Sequence, residues 1–76
     1  MRMDHIQLGR YKHYKGKLYE VVGLARHSET LEELVVYKTL YASEFGEGAL
    51  WVRPKNMFFE QVTINGEKKP RFEYVG

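Results

Sequence analysis

The chain has 76 residues, and one domain is expected over residues 1–76, with a frayed end at 1–7. Because it has no cysteine, it contains neither disulfide bonds nor thiolate metal sites. No apolar run approaches the roughly 20 residues that a membrane span requires, so a cytoplasmic protein is expected. The net charge of +2 is lower than expected for a dedicated nucleic-acid-binding domain, in which cations cluster on one face.

The first predicted element is a β-hairpin. Basic and aromatic residues alternate over 8–14, which is the period-2 pattern of a half-buried strand. Gly16, between two lysines, indicates a turn, and the β-rich segment Leu18–Ala25 follows as a strand with apolar residues on both faces. Gly23 inside that second strand predicts a bend or bulge.

The segment after this strand supports two interpretations. Thr30 and Glu33 fit a capping box, which favours one short helical turn over 28–33. Val, Tyr and Thr alternate with Leu and Lys over 34–41, which favours a strand. We expect the helical turn followed by the strand, with a helix over 31–41 as the alternative.

The rest of the chain predicts short strands bounded by turns that contain Gly, Pro or Asn. Asn65-Gly66 is the strongest hairpin signal, because both residues tolerate the positive φ of a type I′ turn. Pro54 ends one strand and begins a tight corner. The predicted segments are a loop at 42–48, a strand at 49–53, a turn at 54–57, a strand at 58–64 and a return strand over 67–69 and 71–75.

Five or six short strands with turns every 8 to 12 residues predict a small, mainly β domain. The strand, corner and strand around Pro54 resemble the helical corner before the last strand of small SH3-like barrels. We therefore expect a five- to six-stranded SH3-like barrel with one short helical turn. Phosphate-binding patterns such as GxGxxG do not occur, and no cofactor is expected.

The one compact polar cluster is Arg26-His27-Ser28-Glu29-Thr30, between two apolar runs. It holds the groups of acid–base chemistry, but neighbours on a strand point to opposite faces, and a catalytic triad needs its groups within hydrogen-bonding reach. We expect Ser28 or Thr30 to cap a turn and the exposed Arg26, His27 and Glu29 to form a recognition edge. A small enzyme around His27 and Glu29 is a further alternative, and the histidine spacing predicts no metal site.

A second candidate group consists of Tyr37, Tyr41, Trp51 and Arg53, and Met57 is assigned to the same candidate surface. If the strands at 34–41 and 49–53 pair, Tyr37 or Tyr41 lies beside Trp51 or Arg53. Aromatic rings next to Arg form a stacking platform. The structural alternative places Trp51 in the core and pairs Arg53 with a glutamate. Together with the polar cluster, this group predicts a binding module for a protein or peptide, a second copy of the chain included, rather than an enzyme.

Arg10, Lys12, Lys15 and Lys17 support an alternative function. These cations fall on the first predicted hairpin, where they would contact the phosphates of a nucleic acid. A nucleic-acid-binding β-barrel is therefore the alternative to a protein- or peptide-binding module. Its affinity would fall steeply between low and moderate salt, which separates the two functions.

Short motifs along the chain resemble a known family. In order, they are Tyr14-Lys15-Gly16, His27-Ser28-Glu29-Thr30, Val36-Tyr37, Trp51-Val52-Arg53-Pro54, Met57-Phe58 and Pro70-Arg71-Phe72. The sequence between about Gly9 and Tyr74 resembles the small bacterial family named domain of unknown function 1653, with a longer loop at 42–48. The resemblance implies a stand-alone bacterial domain and leaves the function open.

Overall fold

The computed structural model describes residues 6–76, which form two antiparallel β-sheets and one single-turn helix. Residues 1–5 of the segment predicted to be frayed, with His5 among them, lie outside the described residues. Ile6, in the same segment, is buried in the core. The elements are β1 (Gly9–His13), β2 (Leu18–Arg26), β3 (Glu33–Thr39), β4 (Leu50–Pro54), α1 (Lys55–Phe58), β5 (Gln61–Ile64), β6 (Glu67–Pro70) and β7 (Phe72–Tyr74).

Five strands form the main sheet in the order β4-β3-β2-β1-β7, whereas β5 and β6 pair only with each other. The prediction of a mainly β fold is confirmed. The SH3-like barrel is not confirmed, because β4 and β7 are edges of the main sheet among residues 6–76 and no barrel closes. β6 has the sequence EKKP with all four residues exposed, so it offers no apolar face that a barrel could bury.

A β-bulge at Val22 interrupts the pairing of β2 with β3, at the place where Gly23 predicted one. The register shifts by one residue between Val21 and Gly23, so the alternation of side chains along β2 reverses beyond the bulge. Arg26, at the end of β2, consequently lies opposite Glu33 on the face that also carries the buried Val21.

The core lies on one face of the main sheet, where α1 packs. Pro54 precedes the helix in an extended conformation, with φ −51° and ψ 138°, and the single helical turn directs Phe58 into the core. Phe58 stacks on Phe72 with ring centroids 4.1 Å apart and planes inclined by 3°. The turn predicted at 54–57 is thus helical, and the strand predicted over 58–64 begins only at β5. The buried residues are Ile6, Tyr11, Val21, Val35, Tyr37, Thr39, Phe58 and Phe72.

The polar segment between β2 and β3 is a hydrogen-bonded turn. Leu31 donates its N–H to the carbonyl of His27 at 2.9 Å and adopts a left-handed φ of 65°. Glu33 belongs to β3, so the predicted capping box with Thr30 does not form. The helical turn predicted over 28–33 is therefore a turn without a helix. The strand predicted after it is confirmed by β3, and the alternative helix is wrong.

α1, with four residues, is the only helix among residues 6–76. In this part of the chain, no helix has the length and apolar character that crossing a membrane requires.

Candidate functional site

The candidate site is a cavity of about 230 Å³ on the core face of the main sheet, at the β4 edge. Trp51 and Arg53 are two positions apart on β4 and share this face with Tyr37, the cross-strand partner of Trp51. The cavity is named the aromatic–Arg pocket. It is lined by Tyr19 from β2, Tyr37 from β3, Tyr41 from the segment after β3, and Trp51 and Arg53 from β4.

Three tyrosines form one wall of the pocket. The hydroxyls of Tyr19 and Tyr41 are hydrogen-bonded at 2.8 Å, and the ring of Tyr19 meets the rings of Tyr37 and Tyr41 edge to face at 5.5 Å. Burial, and next the hydrogen bond with Tyr41, raise the pKa of Tyr19 well above its usual range. Tyr19 is therefore a neutral hydroxyl at physiological pH, suited to hydrogen bonding and not to proton abstraction.

Arg53 supplies the charge of the pocket. Its Nε donates a long hydrogen bond to the hydroxyl of Tyr37 at 3.4 Å, and its guanidinium carbon lies 5.7 Å from the ring centroid of Phe72. Among the described residues, no carboxylate lies within 4.0 Å of its nitrogens. The pairing of Arg53 with a glutamate, considered from the sequence, is not observed. The other N–H groups of Arg53 have no side-chain or backbone acceptor among residues 6–76.

The surroundings of the pocket are positive. Lys17 places its Nζ 4.6 Å from the ring centroid of Tyr41. Burial lowers the pKa of His13, and the charges of Arg53, Arg71 and Lys15 lower it further. His13 therefore tends to be neutral, and the charge near the pocket comes mainly from Arg53 and Lys17.

Trp51 is a wall of the pocket and not a core residue. Its side chain is 39% exposed, and Phe45, from the loop after β3, meets its ring edge to face at 5.4 Å. Because β4 is an edge strand, Trp51 has no neighbouring strand on its other side among residues 6–76. The predicted proximity of Tyr37, Trp51 and Arg53 is thus observed.

The predicted recognition edge at the end of β2 lies outside this pocket. Arg26 donates from Nη1 to the carbonyl of Leu31 at 2.8 Å, and its Nη2 is 4.0 Å from the carboxylate of Glu33. Glu33 also pairs with Lys55 at 3.7 Å. The guanidinium of Arg26 thus stabilises the turn after β2 and pairs with Glu33. Arg26 does not line the pocket that contains Arg53.

The turn that Ser28 or Thr30 was expected to cap is capped by Thr30, whose Oγ1 accepts the N–H of Glu32 at 3.2 Å, and also by His27. The cap by His27 was not predicted. The Nδ1 of His27 accepts the backbone N–H groups of Glu29 at 3.1 Å and of Thr30 at 3.2 Å. An imidazole nitrogen that accepts hydrogen bonds is unprotonated, so the neutral ring carries its proton on Nε2. This gives His27 a structural role. No hydrogen bond joins its ring to the Glu29 carboxylate among the described residues.

Ser28, Glu29 and Met57 are exposed, and none of them lines the aromatic–Arg pocket. Met57 lies on α1 with 44% of its surface exposed. In the part of the chain that the structure describes, no three His, Asp or Glu side chains are grouped to hold a metal ion.

The basic residues considered for nucleic-acid binding are divided between surfaces. Arg10 and Lys12 flank the buried Tyr11 on β1 and therefore point to the opposite face of the sheet. Their cross-strand neighbours include Glu20 and Glu73, which oppose their charge. Lys15 is at the tip of the hairpin, and Lys17 lies on the Tyr41 ring beside the pocket. The four cations do not form one continuous basic face.

Two larger cavities are less suited to a ligand. One, of about 440 Å³, includes Glu33 and Lys55, whose charges are already paired. The other, of about 450 Å³, includes Lys12 with the opposing Glu73. The guanidinium of Arg53, which has no carboxylate partner among residues 6–76, distinguishes the smaller aromatic–Arg pocket from both.

Tyr19 was not among the candidate residues predicted from the sequence, whereas Tyr41 was, and both line the pocket. Tyr19 reaches the pocket because it lies opposite Thr39, on the same face as Tyr37. That position depends on the register between β2 and β3, which no local motif specifies. Tyr41 could be predicted because it continues the alternation of Tyr37 and Thr39 along the strand.

A family model described as "Protein of unknown function (DUF1653)" matches residues 9–74. The fold is also similar to the crystal structure of a protein belonging to DUF1653 from Bordetella bronchiseptica, with a TM-score of 0.86 and 40% sequence identity. The alignment covers 99% of this chain and 94% of the other. No curated protein matches significantly.

Proposed function

Because the chain belongs to the DUF1653 family of unknown function, we propose a function from the pocket itself: the protein is a binding module that holds a protein or peptide partner through the aromatic–Arg pocket. The observation that carries this proposal is a half-buried guanidinium, Arg53, among four aromatic rings and without a carboxylate partner in the described residues. A group supplied by another molecule would complete it.

The pocket matches an acidic side chain or a terminal carboxylate. A guanidinium and a carboxylate form charge-assisted hydrogen bonds. Of the mutually bonded hydroxyls of Tyr19 and Tyr41, the one that accepts in their hydrogen bond can donate a further one. The rings would contact the apolar part of the same side chain. A cationic ligand is disfavoured, because Arg53 and Lys17 make the surroundings positive.

The size of the pocket favours a peptide over a free cofactor. Small-molecule sites usually measure roughly 300–1,000 Å³, whereas this cavity measures about 230 Å³. It therefore suits a single side chain or chain terminus that the rest of a partner holds in place.

The proposal is tested by selecting displayed random heptapeptides on the wild-type protein, with counter-selection on an Arg53→Gln variant. The single tryptophan, Trp51, lies in the pocket, so its fluorescence reports the Kd of each recovered peptide. Loss of one hydrogen-bonded charge costs about 1.5–3 kcal/mol. The Kd should thus rise about tenfold to a hundredfold in Arg53→Gln.

Arg10→Gln is the matched control, because it removes one cation from the opposite face and should leave the Kd unchanged. The recovered peptides should contain Asp or Glu or require a free carboxyl terminus. Failure to recover any peptide, or peptides that bind Arg53→Gln equally well, would refute the proposal. A steep loss of binding to a nucleic acid with salt, sensitive to Arg10→Gln, would favour the alternative instead.

A further inference from the structure

Among residues 6–76, no strand pairs with the outer side of β4, which leaves a hydrogen-bonding edge next to the aromatic–Arg pocket. The N–H of Thr39 donates to the carbonyl of Ala49 at 3.1 Å, and the same register pairs Tyr37 with Trp51. In an antiparallel ladder, every second residue bonds to a given neighbour. Trp51 therefore bonds toward β3, and Leu50 and Val52 direct their N–H and C=O groups away from it.

This edge lacks most of the features that protect natural edges. Leu50 is 66% exposed and Val52 is 57% exposed, and both are apolar. Charged side chains, proline and short length usually block edge pairing. In β4 only the last two positions, Arg53 and Pro54, have that character. The opposite edge, β7, has three residues.

The pocket and the edge are on the same strand. Side chains of Trp51 and Arg53 point to the pocket face, whereas the free backbone groups between them point outward in the plane of the sheet. A strand added beside β4 would direct alternate side chains to the pocket face, with Cβ atoms about 4.5–5.5 Å from those of β4. A glutamate side chain on that strand would reach the guanidinium of Arg53.

We propose that the partner binds by β-strand addition, in which an extended segment pairs with β4 as a sixth strand and directs an acidic side chain to Arg53. This inference rests on the proposed function of the aromatic–Arg pocket and specifies its binding mode. The backbone groups of Leu50 and Val52 would supply affinity, and the pocket would supply selectivity, as in other modes of strand addition.

The charge of β4 favours an acidic segment over a second copy of this chain. Its sequence, LWVRP, contains no carboxylate. Two copies joined symmetrically along β4 would bring two Arg53 side chains to the same face and leave both without an anionic partner. An acidic strand would complement each of them.

The test uses a blocked heptapeptide of alternating threonine and valine with one central glutamate, and the same peptide with alternate backbone amides N-methylated. Val52→Pro removes the outward N–H of β4 without removing a bond to β3, and Pro54 already occupies the next outward position. Val52→Thr retains that N–H and is the matched control.

Trp51 fluorescence should give a Kd at least tenfold higher for Val52→Pro and within about twofold of wild type for Val52→Thr. The N-methylated peptide should bind wild type at least tenfold more weakly, which tests the proposal even if Val52→Pro does not fold. Hydrogen exchange should show the amides of Leu50 and Val52 protected by the unmodified peptide.

Three outcomes would overturn strand addition. The first is an unchanged Kd for both Val52→Pro and the N-methylated peptide. The second is the absence of peptide binding and amide protection at millimolar peptide. The third is protection of the Leu50 and Val52 amides from hydrogen exchange that increases with protein concentration and not with peptide. That result would show that a second copy of the chain pairs with the β4 edge. If the binding of the peptides from the random selection requires Arg53 but not the N–H of Val52, only the binding mode is refuted. The proposed function would still stand.

Discussion

Phe58 and Phe59 are neighbours in sequence, but the packing of α1 gives them very different contributions to stability. Phe58 is 0% exposed, whereas Phe59 is 42% exposed. Truncation of a fully buried Phe to Ala costs about 3–5 kcal/mol, because contacts are lost and a cavity remains. The whole domain has an unfolding free energy of about 4–11 kcal/mol if it follows the usual value per residue. Phe58→Ala should therefore remove much of the stability.

Urea unfolding followed by circular dichroism measures these free energies. Phe58→Leu keeps an apolar side chain but loses the stack on Phe72, so it should cost about 1–2 kcal/mol and remain measurable. Phe59→Ala is the matched control and should cost about 1 kcal/mol or less. If Phe59→Ala destabilises the protein as much as Phe58→Ala does, the proposed direction of α1 is wrong.

Three further perturbations test local features of the fold. His27→Ala should lower the unfolding free energy by about 1 kcal/mol because two backbone N–H groups lose their acceptor, whereas His27→Asn should restore most of it. The pKa of His13 is lowered by burial and then by Arg53 and Arg71, so the unfolded chain binds its proton more readily than the folded protein does. The unfolding free energy should hence fall as the pH drops below about 6.5 toward the folded-state pKa, and urea titrations of His13→Gln should show a weaker dependence. Thr39 Oγ1 is buried without a hydrogen-bond partner among residues 6–76, so Thr39→Val should raise the unfolding free energy by about 1 kcal/mol, and a marked loss would show that the hydroxyl has a partner.

Features set by local chemistry could be predicted from the sequence. Gly23 predicted the bulge in β2, and Asn65-Gly66 predicted the turn between β5 and β6, where both residues adopt positive φ. The proximity of Tyr37, Trp51 and Arg53 also followed from the pairing of two consecutive strands. These predictions needed only turn chemistry and the alternation of side chains.

Features set by distant contacts could not be predicted. A strand over 58–64 would have placed Phe58 and Phe59 on opposite faces, and nothing nearby in sequence shows which of them meets Phe72. The cap at His27 was missed because Ser, Thr, Asp and Asn are the usual capping residues. The SH3-like barrel was inferred from the number of strands and from the corner around Pro54. Neither determines whether β5 and β6 join the main sheet.

The place of β7 beside β1 has a consequence for the order of folding. Tyr11 pairs with Tyr74, so nearly the whole described chain must be closed into a loop before this contact forms. The strands β1, β2 and β3 are consecutive neighbours and are the part of the sheet that we expect to assemble first. Stopped-flow kinetics should show Phe72→Leu accelerating unfolding with little effect on the folding rate, and a slowed folding rate would contradict this order. The lifetime of the folded protein would then depend mainly on how firmly its last strand stays attached.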